Sequence, residues 1–166
     1  NPAAPAVRSA ALSFASFALP IAMLGVMWPE VRLRFDQSLG ALGVVSLLYG
    51  VARLSMATRG RPLMVRLGSA RAFVAVLGCL VASTAAVAAA PFWAWFLVSI
   101  AAMGLASGLL DSMGAAFVTT LGNVGSAGLI HGSYGIGATT APLVVAFAPN
   151  WRFAVGTPDT REQRNA

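Results

Sequence analysis

The stretch that decides the fold runs from Phe92 to Phe117 and reads FWAWFLVSIAAMGLASGLLDSMGAAF, with Asp111 as its single charged residue. An α-helix rises about 1.5 Å per residue and the hydrocarbon core of a bilayer is about 30 Å thick, so about 20 apolar residues cross it. Because lipid offers no hydrogen-bond partner to backbone N–H and C=O groups, such a segment must pair them internally. The stretch therefore predicts a transmembrane helix.

Four further apolar stretches, each of about 19 residues or more, repeat this pattern and leave most charges in the joints between them. They run from Ala10 to Trp28, Leu39 to Ala57, Ala72 to Ala90 and Leu129 to Ala148. We therefore predict an all-α, polytopic transmembrane helix bundle of five spans within residues 1–150. Residues 151–166 form a predicted polar tail.

The composition excludes a water-soluble globular domain. Of the 166 residues 58% are hydrophobic and only 10% are charged, and the mean hydropathy is +0.78, whereas a soluble domain carries about 25% charged residues. The net charge is +6, but the arginines lie in short joints beside apolar spans. This placement favours the lipid bilayer and not nucleic acid as a partner. Cys79 is the single cysteine, so we expect no intrachain disulfide, no metal and no cofactor.

The distribution of arginines predicts the orientation. Arg59, Arg61, Arg66 and Arg71 lie in the joint between the second and third stretches, and Arg8, before the first stretch, falls on the same side. By the positive-inside rule this side is the cytoplasm, so we expect a cytoplasmic N-terminus in a bacterial inner (plasma) membrane. All four tryptophans would then lie at the external interface: Trp28, Trp93, Trp95 and Trp151.

Asp111 is the only carboxylate inside a predicted span, and it shares a helix face with Gly104, Gly108 and Ala115. Small residues allow close helix approach, and an ionised Asp at mid-helix costs about 2.5–3.5 kcal/mol, so this face must meet protein or water. Two interpretations stay open. Asp111 is a protonatable coupling site, since burial favours a neutral carboxyl group, or it forms an ion pair with Arg53 or a joint arginine.

Four other residues could bind substrate or move protons. His131, the only histidine, could exchange a proton with Asp111 or bond a backbone carbonyl. Arg53 could bind an anionic solute or extend its head to the cytoplasmic surface. Tyr49 and Tyr134 could line a cavity or could simply pack. The chain contains neither a G-x-S-x-G elbow nor an H-E-x-x-H metal motif, so we do not expect an enzyme.

The residues between the second and third spans, RGRPLMVRLGSAR, resemble the signature loop of the major facilitator superfamily. Leu63, Arg66, Gly68 and Arg71 match the family pattern, and Gly60 lies one place earlier than the family's glycine. Val65 stands where the family usually has Asp. The stretches GLASGLLD, from Gly104 to Asp111, and HGSYGIG, from His131 to Gly137, resemble the fourth and fifth spans of its sugar- and fucose-permease-like branch.

This resemblance covers nearly all of the chain and implies a proton-coupled or facilitated carrier of a small solute that works by alternating access, with Asp111 as its coupling acid. Such carriers have about twelve spans and bind solute between two six-helix halves. With five predicted spans, we expect the chain to be an N-terminal part that requires a missing C-terminal half or partner chain. Two alternatives stay open: a small integral-membrane interaction subunit completed by a partner chain, and a membrane-embedded enzyme using Asp111 and His131.

Overall fold

The computed structural model describes the backbone of residues 3–121 and 124–147, with all side chains except those of residues 3–11, 13–14, 16–17, 117–121, 124–127, 129–131 and 146. The described residues form helices and no strand, which confirms the predicted all-α fold. The helices are α1 (Ala3–Arg34), α2 (Ala41–Ser55), α3 (Gly60–Leu67), α4 (Ser69–Ala88), α5 (Trp93–Leu121) and α6 (Val124–Phe147).

The predicted spans at 72–90 and 92–117 correspond to α4 and α5. α4 ends just before Pro91, which lacks a backbone N–H and restricts the residue that precedes it. The helical pattern resumes at once, because the N–H of Phe96 donates to the carbonyl of Phe92 at 3.1 Å. A single proline therefore separates two long apolar helices with a joint of only four residues, 89–92.

The number of spans differs from the prediction. Among the described residues, Ser69–Ala88 and Trp93–Ala116 are long and apolar enough to cross a membrane, with mean hydropathies of 1.9 and 1.8. A third span exists only if α2 and α3, which are bent by 53°, count as one. The structure thus supports two or three spans and not five. α2 has 15 residues, so it is about 22 Å long and cannot cross alone. For the first and fifth predicted spans the structure describes only part of the side chains.

The arginine-rich joint is also more ordered than predicted. Residues 60–67 form α3, where the sequence predicts a loop. Gly68 separates α3 from α4 with φ +79° and ψ 148°, a backbone conformation that residues with a Cβ rarely adopt. Its N–H donates to the carbonyl of Met64 at 2.9 Å, and its own carbonyl accepts from Ala72 at 3.0 Å. The chain therefore turns between two helices at one glycine.

α5 is the central helix of the described bundle, since it packs against both α2 and α4, while α1 packs mainly against α6. Its role follows from its composition, because it presents apolar or small residues on several faces at once. The largest fully buried side chains are Phe96, Ile100, Ser107, Leu110 and Met113 on α5, and Val45 on α2.

Aromatic rings gather where α1 ends and α5 begins. The ring of Trp93 stacks on Phe96 at 5.3 Å and lies 6.4 Å from Trp28, between ring centroids. Trp28 and Trp93 therefore lie at the same end of the bundle, as predicted. Trp28 is only 3% exposed, so it packs inside the bundle and does not face lipid head groups. Trp151 lies outside the described residues, and the side of the membrane on which this end lies stays a prediction.

Candidate functional site

The contact between α2 and α5 depends on two glycines spaced by four residues. A Cβ atom at Gly104 would lie 2.6 Å from the carbonyl oxygen of Tyr49, and one at Gly108 would overlap the carbonyl oxygen of Arg53. Tyr49 and Arg53 are also four residues apart, so successive turns of the two helices touch backbone to backbone. The predicted small-residue face of α5 is therefore the face that meets α2.

Asp111 lies one turn beyond these glycines and forms an ion pair with Arg53. The Nε atom of Arg53 donates to Oδ2 of Asp111 at 2.5 Å, and the two side chains are 32% and 30% exposed within the bundle. Of the two interpretations of Asp111, the structure shows the geometry expected for the second, an ion pair with Arg53. A proton-coupling role stays a prediction, because a carboxylate held by a cation can still exchange that partner for a proton.

Tyr134 brings α6 into the same site. Its ring lies beneath the guanidinium of Arg53, with Cζ 5.8 Å from the ring centroid, within the range of a cation–π contact. Tyr49, 6% exposed, lies one turn before Arg53 and within electrostatic range of the other three groups. Tyr49, Arg53, Asp111 and Tyr134, from three helices, are called the polar cluster below.

The structure thus brings together four of the five candidate substrate or proton residues. The fifth, His131, is part of α6 three residues before Tyr134, but its side chain lies outside the described residues. The possible exchange of a proton between His131 and Asp111 therefore stays a prediction.

One position of the family-like loop, Gly60, lies next to the polar cluster. Gly60 begins α3, and its N–H donates to the hydroxyl of Ser112 at 2.9 Å, one residue after Asp111. A Cβ at Gly60 would lie 2.6 Å from the backbone nitrogen of Met113, so only glycine fits here without displacement. Leu63 packs against the hydrophobic core, and the other basic and turn positions, Arg66, Gly68 and Arg71, are exposed.

A separate cavity of about 260 Å³ lies toward the aromatic end. Its apolar lining includes Met23 and Met27 of α1 with Ile100 and Met103 of α5, and Arg34 is the charged residue at its wall. None of the five sequence candidates lines it. Sequence reasoning missed this cavity because apolar side chains that line a space have the same pattern as those that fill a core.

The described residues contain no group of three or more His, Cys, Asp or Glu side chains that could hold a metal ion. Cys79 lies exposed on α4. Comparison with known proteins gives no match to a family model, to a curated protein or to a solved structure. The resemblance to the major facilitator superfamily therefore rests on the sequence motifs alone and stays a prediction.

Proposed function

We propose that this chain is the N-terminal part of a proton-coupled carrier of a small solute, of the major facilitator type, working by alternating access. The observation that carries the proposal is the pairing of Asp111 with Arg53 across two apolar helices. Ionisable residues at membrane depth are costly and mark ion or substrate pathways in transporters. An ion pair links α2 to α5, with Tyr134 of α6 beside it. Protonation of Asp111 would break this pair and so permit a conformational step in transport.

In the proposed mechanism, Asp111 is ionised while it accepts from Arg53. Protonation removes the negative charge, so the guanidinium loses its counter-ion and the electrostatic attraction between α2 and α5 falls. Gly104 and Gly108 have no side chains that interdigitate with α2, so the two helices can slide or rock against each other. Arg53, once released, is the group on the described helices best placed to meet an anionic or hydroxyl-rich solute.

The finer features of the membrane arrangement belong to the same proposal. We propose that α1 and α6 also lie in lipid, giving five crossings, because residues 10–27 and 129–148 carry no charge apart from any on His131. The N-terminus and α3 would face the cytoplasm of a bacterium. A C-terminal half or a partner chain would complete the solute cavity.

The first test is the mass of the native polypeptide in its source membrane. A mass well above the 17.0 kDa of this chain supports a longer carrier. A native mass of 17.0 kDa together with a stably bound partner would instead support the interaction subunit and contradict the carrier proposal.

The second test measures proton movement by the native polypeptide in liposomes that contain a pH-sensitive dye, with a panel of monosaccharides as solutes. We expect at least one sugar to acidify the lumen, and Asp111→Asn to abolish this while inserting normally. Asp36→Asn is the matched control: it removes the same charge from an exposed turn with φ +52°, which Asn tolerates. Unchanged acidification in Asp111→Asn, or none with any sugar in the unmodified protein, would contradict the proposal.

A further inference from the structure

Four arginines lie within α3 or close to its ends, where α3 packs against α5. They are Arg59, Arg61, Arg66 and Arg71, called the arginine surface below, and all four are exposed. None has an acidic partner among the residues that the structure describes. The sequence gives the reason, since no Asp or Glu lies between Asp36 and Asp111, and Asp111 is already bound to Arg53.

α3 has two different faces. Leu63 and Met64 pack against the hydrophobic core, on the side where Gly60 contacts α5. The opposite side presents Arg61 together with Val65, which is 79% exposed. An apolar side chain held outward among arginines is unfavourable in water but suits the boundary between acyl chains and phosphate groups.

Exposed leucines carry the same mixture of charge and apolar surface to the end of α2 and to the end of α3. Leu54, at the end of α2, is 75% exposed, and Leu67, at the end of α3, is 44% exposed. Both are within seven residues of an exposed arginine of the arginine surface. A free phosphate ion or a nucleic acid would match the arginines but not these leucines, whereas a phospholipid matches both.

The arginine surface is also held in place. The Gly60 N–H bond to Ser112 fixes the start of α3 on α5, and the Gly68 turn fixes its end against α4. Arg61 and Arg66 are therefore presented by a short, anchored helix, with Arg59 just before it and Arg71 in the first turn of α4, and a ligand that binds them does not first have to order a loop.

We propose that the arginine surface binds the head groups of anionic phospholipids. Basic side chains beside a membrane attract anionic lipid at about 1 kcal/mol each, which is about fivefold in affinity per arginine. The proposal does not rest on the transport function, because an interaction subunit or an enzyme with the same helices would carry the same surface.

The test uses the full chain in detergent, titrated with dioleoyl phosphatidylglycerol or with dioleoyl phosphatidylcholine, and native mass spectrometry counts the bound lipids. We expect phosphatidylglycerol to bind more tightly than phosphatidylcholine. Arg61→Gln with Arg66→Gln should weaken phosphatidylglycerol binding about 25-fold. The matched control, Arg161→Gln with Arg164→Gln, removes two charges from the tail and should leave the affinity within about twofold.

Three results would overturn the proposal: equal binding of the two lipids, equal affinity of the α3 double variant and the unmodified chain, and competition by millimolar inorganic phosphate, which would indicate a phosphate site and not a lipid surface. Circular dichroism checks that the double variant keeps its helices. If it does not, the single variant Arg71→Gln, in the first turn of α4, replaces it with an expected loss of about fivefold, and an unchanged affinity there is equally decisive.

Discussion

The backbone contact at Gly104 gives a prediction whose size can be worked from the structure. In Gly104→Ala, the new Cβ would lie 2.6 Å from the carbonyl oxygen of Tyr49 and 2.9 Å from the Cβ of Ala52, whereas ordinary contact begins at 3.4 Å. The first obstacle is backbone and cannot rotate away, so α2 and α5 must separate locally by about 0.8 Å, the shortfall between 2.6 and 3.4 Å. Arg53, one turn further along α2, would move with it relative to Asp111.

Two opposing effects set the magnitude. Replacing Gly by Ala in a helix is favourable by about 0.8–1 kcal/mol, and overpacking a tight contact costs about 1–3 kcal/mol. Gly78→Ala provides the matched control, because Gly78 lies on the exposed side of α4 and a Cβ there would meet nothing within 4 Å. The control should therefore keep only the favourable effect, and Gly104→Ala should be about 1–3 kcal/mol less stable than Gly78→Ala.

The free energy of unfolding is measured by titrating dodecyl sulfate into the full chain in mild detergent and following helicity. Gly108→Ala should cost more than Gly104→Ala, because its Cβ overlaps the carbonyl oxygen of Arg53. If Gly104→Ala stabilised the protein as much as Gly78→Ala, the two helices would not touch at this point, and the close approach that positions the ion pair would be refuted.

Three further predictions follow from other contacts. A double-mutant cycle with Arg53→Gln and Asp111→Asn should give a coupling of about 1–2 kcal/mol, above an exposed pair but below a fully buried one; additive effects in dodecyl sulfate unfolding would show that the pair contributes nothing. Gly68→Ala should lose about 1–3 kcal/mol, because φ +79° with ψ 148° is strained for any residue with a Cβ, and an unchanged unfolding midpoint would contradict this. In a Cys79→Ala background, Arg66→Cys should resist a membrane-impermeant thiol reagent applied from outside the cell; ready labelling would reverse the proposed orientation.

The sequence identifies Asp111 and Arg53 as candidates and gives their ion pair as one of two interpretations of Asp111, for a reason specific to lipid. A lone carboxylate at membrane depth must find a partner, and the glycines one and two turns before Asp111 indicate which helix face can approach it. Arg53 was one of few cations within reach. The sequence could not choose between a pair and a free protonatable site, because that choice depends on how closely two helices pack.

Two features could not be predicted. The sequence predicts a loop at residues 60–67 because one proline, two glycines and four arginines within residues 59–71 give no membrane-spanning hydropathy, although Leu63 and Met64 supply an apolar face. The helix is stabilised by a tertiary contact, the close approach of Gly60 to Met113. Such a contact cannot be predicted from the pattern of residues along the sequence. The prediction of five spans used hydropathy alone, and hydropathy did not detect that α2 stops at Ser55 and bends by 53° into α3.

The same face of α5 makes all of these contacts in order: Gly104 with Tyr49, Gly108 with Arg53, then the Asp111 ion pair. Movement of α2 along α5 must break them together. Loss of an ion pair of about 1–2 kcal/mol shifts an equilibrium about 5- to 30-fold, whereas moving a population from 1:99 to 99:1 requires about 5.5 kcal/mol. Protonation of Asp111 alone therefore cannot complete such a change. In a coupled carrier, the remaining free energy of about 3.5–4.5 kcal/mol must come from bound solute. Because neither the proton nor the solute can complete the change alone, their movements would depend on each other.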